Sequence, residues 1–232
     1  VGERLLMTLI VSVTTLIFTW GIAIPIGIYS ATHQYSIGDY VVSFIGFLGL
    51  STPNFLLALV LMFVAVFYFD VSSIGGLFSR EFINAPWSWA RVADLVRHLW
   101  IPIIVIGTAG TAGLVRIMRG NLLDVLGAQY IQTARVKGLK ERLVIYRHAV
   151  RVAINPLISI FGMSFPQILS GEAIAAIVLG LPTLGPLLLR ALQSRDTYLA
   201  ASILLFYAVA LLIGNLIADI MLGWSDPRIR YD

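Results

Sequence analysis

The sequence predicts an all-α polytopic membrane protein, and its composition and the placement of its charges carry that reading. Of 232 residues, 59% are hydrophobic and 12% charged, where soluble domains carry roughly a quarter charged residues. The charges are also clustered, leaving five windows without any: 5–32, 41–69, 99–115, 152–171 and 197–218. A bilayer core takes about 20 apolar residues in helix. With tilt, or extension into water, each window serves as a span.

The first window starts within a few residues of Val1 and is too long for the apolar core of a secretory signal, so it reads as a span. Pro25, with Gly21 and Gly27, predicts a kink in it. In the second window, Ser51, Thr52, Pro53, Asn54 and Phe55 predict an interruption, and Pro53 is a candidate gate or path residue. Gly107, Gly110 and Gly113 with Ala109 and Ala112 give the third a small-residue surface on which another helix packs closely. Asn155 and Pro156 form a cap and first-turn pair that launches the fourth from Leu157. Near its far end, Glu172 is the one ionisable side chain between Arg151 and Arg190. An acid at membrane depth is a candidate for the solute path or a gate. Ser170 also fits as the cap of a short helix whose first turn holds Glu172, where the dipole favours a carboxylate.

Charge fixes the orientation. Between 116 and 151 stand eight basic residues (Arg116, Arg119, Arg135, Lys137, Lys140, Arg142, Arg147 and Arg151) against Asp124 and Glu141, a net of +6. The whole chain totals +4, which leaves −2 for the rest. Lys and Arg beside span ends resist translocation, so this connection is predicted to be cytoplasmic. Counting outward, 33–40 is an inner turn, 70–98 and 181–196 are outer loops, and the tail from Gly223 is inside. The N-terminus then falls outside, which predicts a further span upstream of the five.

Within the basic connection, Leu122, Val125, Leu126 and Tyr130 follow helical spacing, and the helix is expected to run from Asn121 to Ala134, with Arg135 and Lys137 in its last turn. Gly138 supplies the stop, since glycine takes the left-handed conformation that closes a helix end. A second helix follows, with an apolar stripe of Leu139, Leu143, Tyr146 and Val150. Two short helices on a glycine joint, each continued into a span, are suited to carry a rigid-body displacement.

The residues of this loop are Tyr130, Thr133, Ala134, Arg135, Lys137, Gly138 and Leu139, then Arg147, His148, Ala149, Arg151, Ala153 and Pro156. Their order resembles the EAA loop of ABC importer permeases, and more narrowly the dipeptide and oligopeptide (peptide/opine/nickel) binding-protein-dependent permease family. Leu114, Val115, Arg116, Arg119, Leu122, Asp124 and Val125 before the loop fit the same pattern, as do Asp226, Pro227, Arg228, Ile229 and Arg230 at the tail. The resemblance covers nearly the whole chain. It implies a type I ABC importer transmembrane-domain fold: one permease domain over 1–232, with spans at about 5–31, 41–69, 99–118, 156–179 and 197–221 and a coupling loop at 120–155. It also implies a second homologous permease, two cytoplasmic ATPases, an extracytoplasmic solute-binding protein and a peptide or similar solute as partners. Where the family often has Glu, this chain has Ala176, and Thr183 stands where Gly is common.

Other chemistry finds little support. The chain has no cysteine, hence no disulfide, thiolate zinc site or thiol nucleophile. It contains no glycine-rich phosphate loop ending in Lys and Ser or Thr, so no cofactor is expected on it and ATP is expected on the partner subunits. His33, His98 and His148 lie in separate loops without a recognisable catalytic partner, and a non-catalytic transport subunit is expected. An ion-gradient secondary transporter is the rival reading; it calls for ionisable or unwound sites at the midplane and often internal repeats, and only Glu172 offers itself.

Overall fold

The computed structural model describes residues 2–69, 75–170 and 173–225. They form helices α1 (Gly2–Thr32), α2 (Ile37–Ser51), α3 (Asn54–Phe69), α4 (Trp89–Leu126), α5 (Gln129–Val136), α6 (Glu141–Ala153), α7 (Asn155–Ser170), α8 (Ala173–Val178), α9 (Leu184–Gln193) and α10 (Thr197–Ser225). No strand occurs among the described residues. Three helices, α1, α4 and α10, are long and apolar enough to cross a membrane, or up to five spans if each bent helix pair counts as one.

The apolar windows map onto these helices with informative differences. Window 41–69 is broken at Thr52 and Pro53, as its interruption predicts, and the Pro53 carbonyl accepts the Leu56 and Leu57 N–H groups at 2.9 and 3.1 Å to start α3. Proline has no N–H to donate, so the α2 ladder stops there. By contrast, α1 runs unbroken through Pro25. The fourth window, 152–171, takes in the end of α6 and α7, and Glu172 lies outside the described residues, as do the tail residues Asp226 to Arg230.

By its contacts the chain forms two compact units. The first comprises 1–18, 51–109 and 166–209. Its core joins Met7, Val11, Ala58, Leu77, Leu99, Val105 and Leu179. The connection between α3 and α4 is stitched down by polar bonds: Ser79 donates its N–H and Oγ–H to Asp94 at 2.8 and 2.7 Å. Arg91, only 6% exposed, lies over the rings of both Phe78 and Trp87, 4.7 and 4.6 Å from their centroids, and donates to the carbonyls of Ala85 and Ile83. Thr183, the residue that departs from the family pattern, has φ −103° and needs no glycine. The first N–H of α9, that of Leu184, donates instead to the hydroxyl of Thr8 at 2.9 Å.

The second unit comprises 19–50, 110–165 and 210–232. Here α1 and α4 lie so close that a Cβ on Gly27 would come within 2.7 Å of Met118, a contact only glycine tolerates. Gly110 likewise faces Thr19, where the predicted small-residue surface on α4 meets α1. The core of this unit runs from Ala23, Met118 and Leu122 into the basic connection through Ile131, Val144, Ala149 and Ala153, and on to Leu157.

Candidate functional site

The basic connection folds as a jointed element, and local sequence explains most of it. The helix expected over Asn121 to Ala134 is two: α4 continues to Leu126, then Gly127 and Ala128 break the ladder before α5. Ala128 is extended, with ψ 146°. The cause is a tightened last turn, in which the Gly127 and Ala128 N–H groups donate to Leu123 and Val125 at 3.2 and 3.0 Å. The break turns Ile131 fully inward and leaves Tyr130 half exposed. Burying Ile131 contributes about 2 kcal/mol.

The α5 end closes as the glycine predicts. Gly138 has φ +75°, its N–H donates to Arg135 at 2.9 Å, and the Leu139 N–H reaches back to Ala134 at 3.3 Å. This is the Schellman pattern, which satisfies carbonyls the helix end would otherwise leave open. A Cβ on Gly138 would meet nothing within 4 Å, so the demand for glycine comes from its backbone angle alone.

A two-point ion pair bridges the joint. Arg135 donates through Nε and Nη2 to Glu141 at 3.2 and 2.7 Å. The guanidinium holds the Glu141 carboxyl below its ordinary range. The pair is partly exposed, so it contributes about 0–1 kcal/mol and serves mainly to fix the angle between α5 and α6.

The backbone of α6 sets which of its faces is buried. Residues Val144–Ala149 form a π-helix, with regular α-helix on either side at Glu141–Leu143 and Val150–Ala153. The buried positions are Val144, Ala149 and Ala153, five and then four apart, as the wider turn requires. Leu139, Leu143 and Tyr146 are therefore exposed, and Val150 is half-buried. Arg147 is exposed and His148 half-buried. A bend of 44° separates α6 from α7. At that bend Arg151 donates Nε–H to the Ser225 carbonyl at 2.9 Å, and the Ser225 hydroxyl donates to Asn155 Oδ1 at 2.8 Å, so the Asn155 side chain ties down the end of α10. Thr133 returns its hydroxyl to the Gln129 carbonyl, and Lys137 is the last, exposed residue of the α5 turn.

Sequence reading missed a second polar cluster. Asp39, in the first turn of α2, is 3% exposed and accepts both Nε and Nη2 of Arg119, each at 2.9 Å. Ser30 donates its hydroxyl to the same carboxylate, and the Tyr35 N–H does so at 3.0 Å. Tyr35 sits at φ +62°, a left-handed angle that costs about 1–2 kcal/mol, and its bond to Asp39 offsets part of that. The Arg119 fork holds the Asp39 carboxyl well below the usual carboxylate range; burial opposes the shift, and Ser30 and the Tyr35 N–H reinforce it. One local signal was available: Ser36 caps α2 by accepting the Asp39 N–H at 3.2 Å, a Ser-x-x-Asp helix start. The partner, 80 residues on, has no signal in a single sequence.

The residues Tyr130, Thr133, Ala134, Arg135, Lys137, Gly138 and Leu139 thus share one helix and its joint, and Arg147, His148 and Arg151 lie on the next. Pro53 belongs to the other unit. Among the described residues no cluster of three or more His, Asp or Glu side chains could hold a metal ion.

A helical protein with several helices long and apolar enough to cross a membrane, and basic in one jointed connection, is of the polytopic integral-membrane class. Residues 23–231 match the family described as "Binding-protein-dependent transport system inner membrane component", and the chain belongs to that family as an inner membrane transport permease. It is 38% identical over 228 residues to the oligopeptide transport system permease protein AppB of Bacillus subtilis (strain 168), covering 98% of this chain and 70% of that protein. It is 31% identical over 243 residues to the dipeptide transport system permease protein DppB of Escherichia coli (strain K12), covering 98% and 72%. Over 235 residues it is 29% identical to the oligopeptide transport system permease protein OppB of Mycobacterium tuberculosis (strain ATCC 25618 / H37Rv), covering 99% and 71%.

Proposed function

We propose that this permease is a subunit of an ATP-binding cassette importer for peptides or related small solutes, working by alternating access. In this reading the connection 120–155 is cytoplasmic and docks in a groove of a partner ATPase, and the C-terminus lies on the same side. ATP binds and is hydrolysed on two such ATPases. A second homologous permease completes the path, and an extracytoplasmic binding protein delivers the solute. The peptide class is supported by the relatives named oligopeptide and dipeptide permeases.

The jointed connection carries the reading. Its inward face is locked into the core by Ile131, Val144 and Ala149, while Tyr130, Val136, Leu139, Leu143 and Tyr146 remain exposed beside basic side chains. An apolar helix face left uncovered and edged by charge suits a partner's groove. Because α5 and α6 share one core with α4 and α7, displacing that face moves the helices behind it. Glu172 and Pro53 are the proposed gate or path residues.

The test is Gly138→Pro. Proline is locked near φ −65°, cannot take +75°, and has no N–H for the Arg135 carbonyl. In the reconstituted complex, stimulation of ATPase activity by loaded binding protein is expected to fall at least tenfold while the permease still inserts. Unchanged stimulation and transport would rule the coupling role out.

A further inference from the structure

The geometry points to a binding site for one anionic phospholipid between α2 and α4, with Arg116 at the headgroup phosphate and an acyl chain along the cleft. The two helices are tied at one end by Asp39 and Arg119 and approach again at Gly46, where an added Cβ would lie 4.0 Å from that of Ala112. A cleft of about 250 Å³ opens along them, walled by Val42, Gly46, Phe47, Leu50 and Val115, with Arg116 and Arg119 at one end. Its wall is mostly apolar; Ser43 also lines it, and Ser30, which shares Asp39 with Arg119, stands at the basic end.

Charge selects the occupant. Arg119 is neutralised by Asp39, but Arg116, one helical turn away and exposed, has no ion pair among the described residues. The cleft therefore presents one surplus positive charge above an apolar trough. Depth agrees: from Leu99, where the charge-free stretch of α4 begins, to Arg116 is about 25 Å of helix at 1.5 Å per residue. That is close to the roughly 30 Å thickness of the hydrocarbon core, so the guanidinium reaches headgroup level. A phosphodiester with a net negative headgroup matches both ends of the cleft, and basic pockets between helices on the cytoplasmic side take such lipids. The leaflet assigned, the cytoplasmic one, rests on the orientation proposed above.

The experiment uses the whole transporter, purified in mild detergent and then placed in phosphatidylcholine nanodiscs with and without phosphatidylglycerol, with retained lipid read by native mass spectrometry. The wild type is expected to retain phosphatidylglycerol over phosphatidylcholine. Arg116→Gln is expected to cut that preference about fivefold, the effect of one arginine at an anionic surface, and Arg116→Lys to keep most of it. Gly46→Leu, which fills the cleft, is expected to lose retention of both lipids. An unchanged preference in Arg116→Gln overturns the site, as does a disulfide from Ser43→Cys to a cysteine in the second permease, which would show the cleft filled by protein. Because the chain has no cysteine, a lone Lys140→Cys, labelled from one side of sealed vesicles, tests the orientation separately. Labelling from outside would reject the orientation and its leaflet while the lipid preference is read on its own.

Discussion

Arg91 is buried and Arg119 half-buried, one in each compact unit, and they are held by opposite chemistry. Arg119 faces a carboxylate that also collects a hydroxyl and a backbone N–H. Arg91 has no carboxylate partner among the described residues; two carbonyls and two aromatic faces lie against it, and its Nε is buried without a hydrogen-bond partner. The first arrangement matches a full charge with a full charge across 80 residues of sequence. The second spreads the charge over dipoles and π-faces within a single connection, and so organises that connection locally. The difference separates a cluster that joins distant helices from one that shapes a loop.

The largest break in this comparison is expected from Asp39→Asn, which leaves Arg119 without its counter-charge. Removing one partner of a fully buried pair costs about 3–5 kcal/mol. The Arg119 side chain keeps 28% exposure, so water relieves part of the loss and about 2–3 kcal/mol is expected, read as a drop in the melting temperature of the detergent-solubilised protein. The double variant Asp39→Asn with Arg119→Gln is expected to recover much of that drop, since no lone charge remains.

A smaller effect is expected from Arg91→Lys. Lysine keeps the charge but gives up the planar fork and most of the stacking on Phe78 and Trp87, at about 1–2 kcal/mol. The damage is expected to stay local, seen as faster proteolysis within 75–98, with the Asp39 cluster unaffected. Proteolysis spreading into the basic connection would erase the distinction between the two arginines.

Acid sharpens the comparison with the smallest effect. Asp39 has a folded pKa below its ordinary value of 3.8, so its contribution is complete above that value and is lost as pH falls through the folded value. The gap in melting temperature between wild type and Asp39→Asn is therefore expected to stay constant from about pH 8 to pH 5 and to narrow only below about pH 4. A gap that closes near neutrality would mean the carboxylate is not held by Arg119.

Two of the left-handed helix ends offer a parallel. Gly138 and Arg195 occupy the same position in Schellman closures, at φ +75° and +57°, and the Asp196 N–H reaches the Ala191 carbonyl at 2.8 Å as that of Leu139 reaches Ala134. A side chain is thus tolerated at one of these ends. On that basis Gly138→Ala is expected to cost only about 1 kcal/mol in stability, and the severe effect is reserved for proline.

Much of the candidate site was legible because its causes are local. The joint at Gly138 follows from one residue's allowed backbone angles, and the break at Pro53 from one missing N–H. The stripe of Leu139, Leu143, Tyr146 and Val150 is mostly exposed, and the inward set Val144, Ala149 and Ala153 is not legible from a 3.6-residue period because the segment turns more widely. The helix expected from Asn121 to Ala134 is divided by the tightened turn after Leu126, a stop that Gly127 alone does not announce.

The sequence by itself determined that this protein is helical, that it lives in a bilayer, and where its basic connection and its glycine joint lie. Each of those follows from composition or from the chemistry of a few neighbouring residues. Only the tertiary structure decided which face of the connection is buried, that Asp39 answers Arg119, and that Thr8 rather than a local side chain meets the first N–H of α9. These are pairings between residues brought together by packing, and a single sequence holds no record of the distance between them.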